Sequence, residues 1–355
     1  MYDYSKRIEA FWDEKVCLRE DSKNKLFNHR KVNRDRLIKR LPEEIEGLSI
    51  GESSFKPQGS MAMKTIIQAR FLDEEYDIDD GLVLWKSDLI NAEGNELSAM
   101  DVKNKVREAL KDNRFNRQPR LCTNCVRVFY ADGDEEKHHV DFPVYRKYND
   151  GEGKYERELA SGENWTVSDP TQVTVWFESE VTNRNYNTDG KGTQMRRLVQ
   201  LLKRFCRSQR NWDLPNGMKL TMLVSECQPE FSSGLDIAFR NLLKNLKKRL
   251  ECSKVIFNLA HPDNPQITRT LMDDSVCQLL EKIKEALEKL EILDNIDCKQ
   301  SDASTIWDWV FKSDGFFKKY DENNNDSQNV SNFAAGIAVS TPKGSVDHRG
   351  GGRFG

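Results

Sequence analysis

Hydrophobic and polar positions divide the chain into two parts with different periodicities. In the first part, short alternating runs predict strands: "YDIDDGLVLW" at 76–85, and "CVRVFY" with "HHVDFPVYRK" between 125 and 147, which together predict a hairpin. A further strand is predicted to lead through Phe55 to Gly59. Longer runs with apolar residues three and four positions apart, at 19–48 and 98–113, predict helices. The first half is therefore expected to be mixed α/β.

The second part has the pattern of amphipathic helices. In "GTQMRRLVQLLKRFCRSQR" (192–210) the apolar residues share one side, and the runs at 234–250 and 273–293 repeat this pattern. We therefore predict a bilobal α/β (α+β) protein with a mixed sheet lobe, a helical lobe and a ligand cleft between them. The predicted divisions are 1–190 for the sheet lobe with its N-terminal helices, 191–320 for the helical lobe, and 321–355 for a flexible tail.

Composition and charge narrow the class of protein. The 355 residues include 55 Lys and Arg against 58 Asp and Glu, so the net charge does not indicate a nucleic-acid coat protein and nucleic acid is not expected as a partner, although a local basic cleft stays an alternative. No apolar run is long enough to cross a bilayer, and the N-terminus lacks the apolar core of a secretion signal. The eight cysteines have no framework spacing, which favours reduced thiols and a cytoplasmic location.

Three aspartates stand close together at the start of the strand over 76–85. Because alternate side chains share a face of a strand, Asp77 and Asp79 point the same way. Another acid, Asp141, lies between apolar residues in "HVDFPVY". If the two strands are neighbours, the three carboxylates converge and raise each other's pKa unless cations neutralise them. Two Mg²⁺ ions, which prefer carboxylate and phosphate oxygens, could then activate a hydroxyl and stabilise a leaving pyrophosphate.

Gly59 and Ser60 precede a short helix-like segment just upstream of these acids. Glycine permits a ligand to approach the backbone closely, while a helix N-terminus and the Ser60 hydroxyl offer donors that suit phosphates. Either a D-x-D pair or a Gly-Ser turn alone is common and uninformative. The ordered set of the turn, the acidic strand and the later Asp141 strand predicts a triphosphate held beside its metal ions.

The stretches "FKPQGSMAMKT", "YDIDDG", "HHVDFPVY" and "SDPTQVTVWFE" together resemble the bacterial cGAS/DncV-like nucleotidyltransferases (CD-NTases) of the polymerase β-like superfamily. The resemblance runs in motifs from about residue 55 into the 190s, and more loosely to about residue 320. It implies a polymerase β-like bilobal fold, two Mg²⁺ ions (with Mn²⁺ possible), and ATP, GTP or other NTPs as substrates. It also implies synthesis of a cyclic oligonucleotide second messenger in anti-phage defence, with a cyclic dinucleotide such as cyclic GMP-AMP as the expected product.

The resemblance also implies roles for individual residues. Asp77 and Asp79 match the first two metal ligands, and Asp141 matches the third, which helps to activate the acceptor hydroxyl. Gln58 and Ser60 match positions that contact the donor phosphates, with Gly59 between them.

Three further residues are interpreted individually. Lys203 resembles the family lysine that reaches the triphosphate from the helical lobe, and a solvated helix lysine is the alternative. Thr221, in "KLTMLV", resembles a phosphate-contacting hydroxyl of the family. Asp80 is interpreted as a structural residue or as one that supports the metal ligands, able to satisfy backbone N–H groups at Gly81.

Two other functions remain open at this stage. One is a related enzyme that adds nucleotides to RNA or to a protein; RNA tailing would require a broad basic surface. The other is a catalytically silent nucleotide-binding sensor, which the acidic character of all three expected metal ligands argues against.

The tail carries a separate hypothesis. Residues 321–355 are rich in Asn, Ser and Gly, and the chain ends in "GGGRFG". In some relatives the last glycine is joined to targets by an E1/E2-like conjugating enzyme, so the resemblance implies this role for Gly355. An ordinary flexible terminus is the alternative.

A zinc site is also considered, because Cys122 and Cys125 form C-x-x-C and are followed by His138 and His139. Adjacent residues of a strand point to opposite faces, so the two histidines cannot easily bind one ion. We therefore interpret the cysteines as structural thiols.

Overall fold

A mixed β-sheet carries the first half of the chain. The computed structural model describes residues 3–71, 74–130, 137–151, 153, 155–184 and 194–322. Its strands are β1 Phe55–Gln58, β2 Tyr76–Trp85, β3 Arg120–Leu121, β4 Val126–Tyr130, β5 His138–Phe142, β6 Val144–Asn149, β7 Tyr155–Ser161 and β8 Asn164–Val167. The predicted α/β class is confirmed, and so is the antiparallel pairing of β4 with β5. The turn predicted between these two strands lies outside the described residues.

Strand β2 organises the sheet. Its second half, 81–84, is buried on both faces because apolar residues follow one another there, whereas Asp77 and Asp79 alternate with the buried Tyr76, Ile78 and Asp80. Strands β5 and β6 both run parallel to β2 in the same register, and the break between them falls at Pro143, which has no N–H to donate. Strand β1 pairs antiparallel with the middle of β2. The acidic half of β2 is thereby fixed against both β1 and β5.

Helices cover this sheet and form the second lobe. They are α1 Ser5–Phe11, which continues as a π-helical turn over Trp12–Val16, α2 Glu20–Glu44, α3 Gly59–Ala62, α4 Ala99–Leu110, α5 Gln172–Arg184, α6 Gln194–Cys206, α7 Gly217–Cys227, α8 Leu235–Cys252, α9 Asp274–Leu290 and α10 Gln300–Phe311. The helices predicted in both halves are therefore present. In the described part of the chain, none of them has the length and apolar character needed to cross a membrane.

Two hydrophobic cores underlie the two lobes. One joins the sheet to α2 and α4, and the other joins α6 to α10 with α5. Helix α1 packs into the second core through Tyr4, Ile8 and Phe11, which are fully buried. The N-terminal helix therefore crosses to the helical lobe, which the linear division at residue 190 does not anticipate. The divisions at 190 and 320 themselves stay predictions, and residues 185–193 are not described.

Candidate active site

The register of two parallel strands assembles the predicted acids. Asp79 of β2 lies directly opposite Asp141 of β5, and Asp77 lies directly opposite His139. Since alternate residues share a face, all four side chains belong to one face of the sheet. Convergence of the three acids requires that the Asp141 strand be a neighbour of the acidic strand, and the structure shows that it is.

A divalent cation fits this cluster. Ligand atoms of Asp77, His139 and Asp141 all lie within 4.8 Å of one another. Burial, together with the negative charges of Asp77 and Asp141, raises the pKa of Asp79 well above its ordinary value. A cation bound at these carboxylates would relieve that repulsion, and the oxygen-rich donor set suits Mg²⁺ or Mn²⁺. Metal binding by these residues stays a prediction, and the short distances between their ligand atoms satisfy the geometry that such binding requires.

Arg127 holds the third acid. Its guanidinium donates two hydrogen bonds of 2.8 Å to the two carboxylate oxygens of Asp141, across the antiparallel β4–β5 pair. Burial of Asp141 opposes its ionisation, but the His139 ring and the Arg127 guanidinium outweigh burial and lower the pKa of Asp141. Asp141 is thus kept as a carboxylate while 4 % exposed. A carboxylate has further lone pairs, so this pairing leaves oxygen sites for a metal ion.

Gly59 lies against Asp79. Gln58 is opposite Asp79 in the β1–β2 pair, and the chain turns at Gly59 with a φ of +68°. A Cβ atom at position 59 would stand 1.9 Å from Oδ2 of Asp79, so any residue other than glycine would displace the Asp79 carboxylate. Ser60 follows in α3, which is a single helical turn. The Gly-Ser turn therefore borders the acidic cluster, as the sequence predicts, although phosphate contact by Gln58, Gly59 and Ser60 stays a prediction.

Lys203 is buried rather than solvated. Its ammonium donates to the carbonyl and hydroxyl oxygens of Thr65, at 3.1 and 3.3 Å. Burial and the charge of Arg207 lower the pKa of Lys203 to about 8, against the opposing attraction of Asp77 and Asp79. The solvated-lysine alternative is therefore wrong. A cavity of about 410 Å³ opens beside this side chain.

Thr221 has a different environment from the one predicted. It is 1 % exposed on α7, and its hydroxyl donates to the carbonyl oxygen of Gly217 at 2.7 Å, one turn earlier in the same helix. A phosphate oxygen accepts hydrogen bonds, and the Thr221 hydroxyl already donates its only proton to Gly217. The predicted phosphate contact thus gains no support from the geometry.

Comparison with known proteins shows what this arrangement resembles. Residues 53–145 match the profile of the family described as cyclic GMP-AMP synthase DncV-like, nucleotidyltransferase domain. Residues 53–145 form a DncV-like nucleotidyltransferase domain. This domain contains Gln58, Gly59, Ser60 and all three acids, whereas Lys203 and Thr221 lie beyond it. The chain accordingly contains a nucleotidyltransferase domain.

Solved structures of Vibrio cholerae DncV match both lobes. The apo form is 17 % identical with a TM-score of 0.69, and the match covers 88 % of this chain and 95 % of that chain. The complex with the linear intermediate 5′ pppA(3′,5′)pG is 16 % identical with a TM-score of 0.68, covering 88 % and 97 %. The complex with nonhydrolysable GTP is 16 % identical with a TM-score of 0.67, covering 88 % and 96 %. At these identities the likeness establishes the fold, so the expectation of a bilobal α/β nucleotidyltransferase fold is confirmed.

Two residues of the DncV-like domain were missed as site residues by the sequence reasoning. His139 was weighed only as a zinc ligand, yet it stands two positions before Asp141 and so shares its face. The same alternation rule that joined Asp77 to Asp79 could have found it. Arg127 carries no such signal, because its position opposite Asp141 depends on the hairpin register.

The other interpretations are resolved by local contacts. The histidines do face opposite sides: His138 stacks with His29 and Tyr130 while His139 faces the acids. The eight cysteines are free thiols. Asp80 is structural, as expected, but its partner is Arg34, which donates two hydrogen bonds of 2.6 Å, and not the backbone at Gly81. Gly355 lies outside the described residues.

Proposed function

We propose that this protein synthesises a cyclic oligonucleotide from nucleoside triphosphates, with a cyclic dinucleotide such as cyclic GMP-AMP as the expected product. The observation that carries the proposal is the register that places Asp79 opposite Asp141 within a DncV-like domain. The fold similarity, which spans both lobes of a DncV solved with GTP and with a linear intermediate, supports it.

The reaction would proceed in two transfers. A ribose hydroxyl of one nucleotide attacks the α-phosphorus of a second NTP, a new phosphorus–oxygen bond forms, and pyrophosphate leaves. The linear product then reorients, and a second attack closes the ring with loss of a second pyrophosphate. Most of the catalysis is positioning and neutralisation of charge.

Each part of the site has a task in these transfers. Asp77, Asp79 and Asp141 would hold Mg²⁺ or Mn²⁺, which supplies neutralisation at the phosphates and favours ionisation of the attacking hydroxyl. Asp141, held by Arg127, is a fixed carboxylate toward which that hydroxyl can be oriented. Lys203 brings a positive charge from the helical lobe to within electrostatic reach of Asp77 and Asp79, where a triphosphate would lie.

Incubation with four labelled NTPs and Mg²⁺ or Mn²⁺, followed by phosphatase treatment, tests the proposal. A phosphatase-resistant product is expected, because a cyclic oligonucleotide has no terminal phosphate. Asp77→Asn with Asp79→Asn should abolish it while circular dichroism shows an unchanged fold. A phosphatase-sensitive product that depends on added RNA would indicate a tailing enzyme. Binding of NTPs without turnover would indicate a silent sensor.

We also infer a role in anti-phage signalling and conjugation of the C-terminal glycine, both from the family resemblance. The role in anti-phage signalling would be tested by plating phage on cells that carry the wild-type gene or the double aspartate variant, with fewer plaques expected only for the wild type.

Conjugation of the C-terminal glycine would be tested by intact mass spectrometry after co-expression with an E1/E2-like enzyme. An adduct that disappears on deletion of Gly355 and persists in Gly351→Ala supports conjugation; its absence in the wild type rejects it.

A further inference from the structure

His139 occupies the fourth corner of the acidic cluster. On β2 the corners are Asp77 and Asp79, and on β5 they are His139 and Asp141, each directly opposite its partner on the neighbouring strand. The side chain of His139 is thereby fixed by the pairing of the sheet rather than by a mobile loop. It is 5 % exposed, so its polar atoms have almost no access to bulk water.

The imidazole of His139 faces the acids at contact distance. Its Nδ1 atom lies 3.0 Å from Oδ1 of Asp141, yet the contact lacks hydrogen-bond alignment, and Nδ1 has no hydrogen-bond partner among the described residues. A buried polar atom without a partner is energetically unfavourable, so such an atom commonly marks a missing ligand. Two neighbouring ligands of an octahedral ion with bonds of about 2.0–2.1 Å stand about 3 Å apart. The observed 3.0 Å separation is one that two ligands of a single ion can have, although an ion pair between imidazole and carboxylate has the same distance.

The other ring nitrogen has the environment that a metal-bound histidine normally has. Nε2 lies 3.8 Å from a carboxylate oxygen of Glu75, a distance that a small movement of the Glu75 side chain can close. Histidines that bind a metal through one nitrogen usually donate the other N–H to a carboxylate, which fixes the tautomer and the ring orientation. Glu75 is suitably placed for that task.

We propose that His139 is a nitrogen ligand to a divalent ion shared with Asp77 and Asp141, so that the site is a mixed nitrogen–oxygen site and not one of carboxylates alone. The inference rests on the proposed function, because the ion concerned is the one that serves nucleotide transfer. Its chemical consequence is metal preference. Mg²⁺ favours oxygen ligands, whereas a transition-metal ion such as Mn²⁺ accepts imidazole and carboxylate together. The protein should therefore prefer Mn²⁺ to Mg²⁺.

Pulsed electron paramagnetic resonance on the Mn²⁺-loaded protein tests this directly. With a nonhydrolysable ATP analogue present, the wild type should show a ¹⁴N coupling to Mn²⁺ that becomes a ¹⁵N coupling after labelling with ¹⁵N-histidine. This pair of samples needs no substitution, so no folding defect can confuse it. A wild type that binds Mn²⁺ without any histidine coupling overturns the proposal.

Matched variants assign the coupling to one residue. His139→Gln should lose it and should reduce the ratio of Mn²⁺ to Mg²⁺ affinity by about tenfold or more. His138→Gln is the control, because that neighbour is equally buried at 5 % but faces the opposite side of β5. Coupling that survives in His139→Gln overturns the assignment. The labelled-NTP assay is read separately: a wild type that makes cyclic product but shows no nitrogen coupling refutes this inference and leaves the proposed function standing.

Discussion

Gly59 and Asp79 are in such close contact that a side chain at position 59 would displace the Asp79 carboxylate. A Cβ atom at position 59 would meet Oδ2 of Asp79 at 1.9 Å, and the backbone there has a φ of +68°. The turn that is predicted to hold phosphates and the acid that is predicted to hold metal are thus one packed unit. Displacement of either must displace the other.

Gly59→Ala should therefore impair catalysis more than it impairs stability. The left-handed backbone would cost about 1–3 kcal/mol in free energy of unfolding, and Asp79 would be pushed out of the cluster. We expect at least about a tenfold loss of product formation, measured with labelled NTPs. Gly94→Ala is the matched control, because Gly94 has a φ of +83° with no atom near its missing side chain. Equal losses in both variants would contradict the role of the contact.

Asp79→Asn should stabilise the protein and inactivate it. Asp79 is repelled by Asp77 and Asp141, and its raised pKa means that the folded state disfavours the carboxylate. Below about pH 4 the Asp79 carboxyl is protonated in both the unfolded and the folded wild type, and folding carries no penalty from its charge. As the pH rises toward the raised folded-state pKa, the unfolded chain ionises more readily and the wild type loses stability. The stability advantage of Asp79→Asn should therefore grow with pH. At pH 7 we expect a gain of about 0.5–2 kcal/mol by urea denaturation. Product formation should fall about a thousandfold or more. A destabilised variant would contradict the repulsion.

Asp80→Asn should have the opposite effect on stability. Asp80 is fully buried on the other face of β2 and is paired with Arg34 of α2 through two hydrogen bonds. Removing one member of such a pair leaves an uncompensated charge and costs about 3 kcal/mol. Urea denaturation of Asp80→Asn, Arg34→Met and the double variant measures the coupling between them. Strict additivity of the two single losses would show that the pair is not coupled.

Lys203→Met should change how stability depends on pH. The folded pKa of Lys203 is about 8, below the ordinary 10.5, because the ammonium is buried and lies near Arg207. The unfolded chain therefore binds more protons between these values, and the wild type should gain up to about 3 kcal/mol of stability as the pH rises from 8 to 10.5. The difference between wild type and Lys203→Met isolates this gain, since other titrating groups cancel.

The same variant tests the functional role of the lysine. If Lys203 contacts the triphosphate, Lys203→Met should weaken binding of a nonhydrolysable ATP analogue by about tenfold or more, as measured by calorimetry. It should at the same time be more stable than wild type at pH 7, because a buried charge has been removed. Unchanged nucleotide affinity in the stabilised variant would make Lys203 a structural residue only.

The strands, the helices and the three acids of the candidate site could be predicted from the sequence alone. Period-two alternation fixed which acids share a face of β2, and amphipathic spacing fixed the helices of the second lobe, because both patterns are local properties of the chain. The Gly-Ser turn and the three acids could be named without coordinates. The same local rule places His139 on the face of Asp141, since the two residues are two positions apart on β5.

Contacts between segments that are distant in the sequence could be identified only from the tertiary structure. Strand register places Arg127 opposite Asp141. The packing of helices on the sheet and between the lobes brings Arg34 to Asp80 and buries Lys203 against Thr65. Helix α1 crossing to the helical lobe is of the same kind. An amphipathic pattern predicts that one face of a helix or strand is buried, but it does not predict which element covers that face. The covering element depends on the packing of the whole chain and not on any short stretch of it.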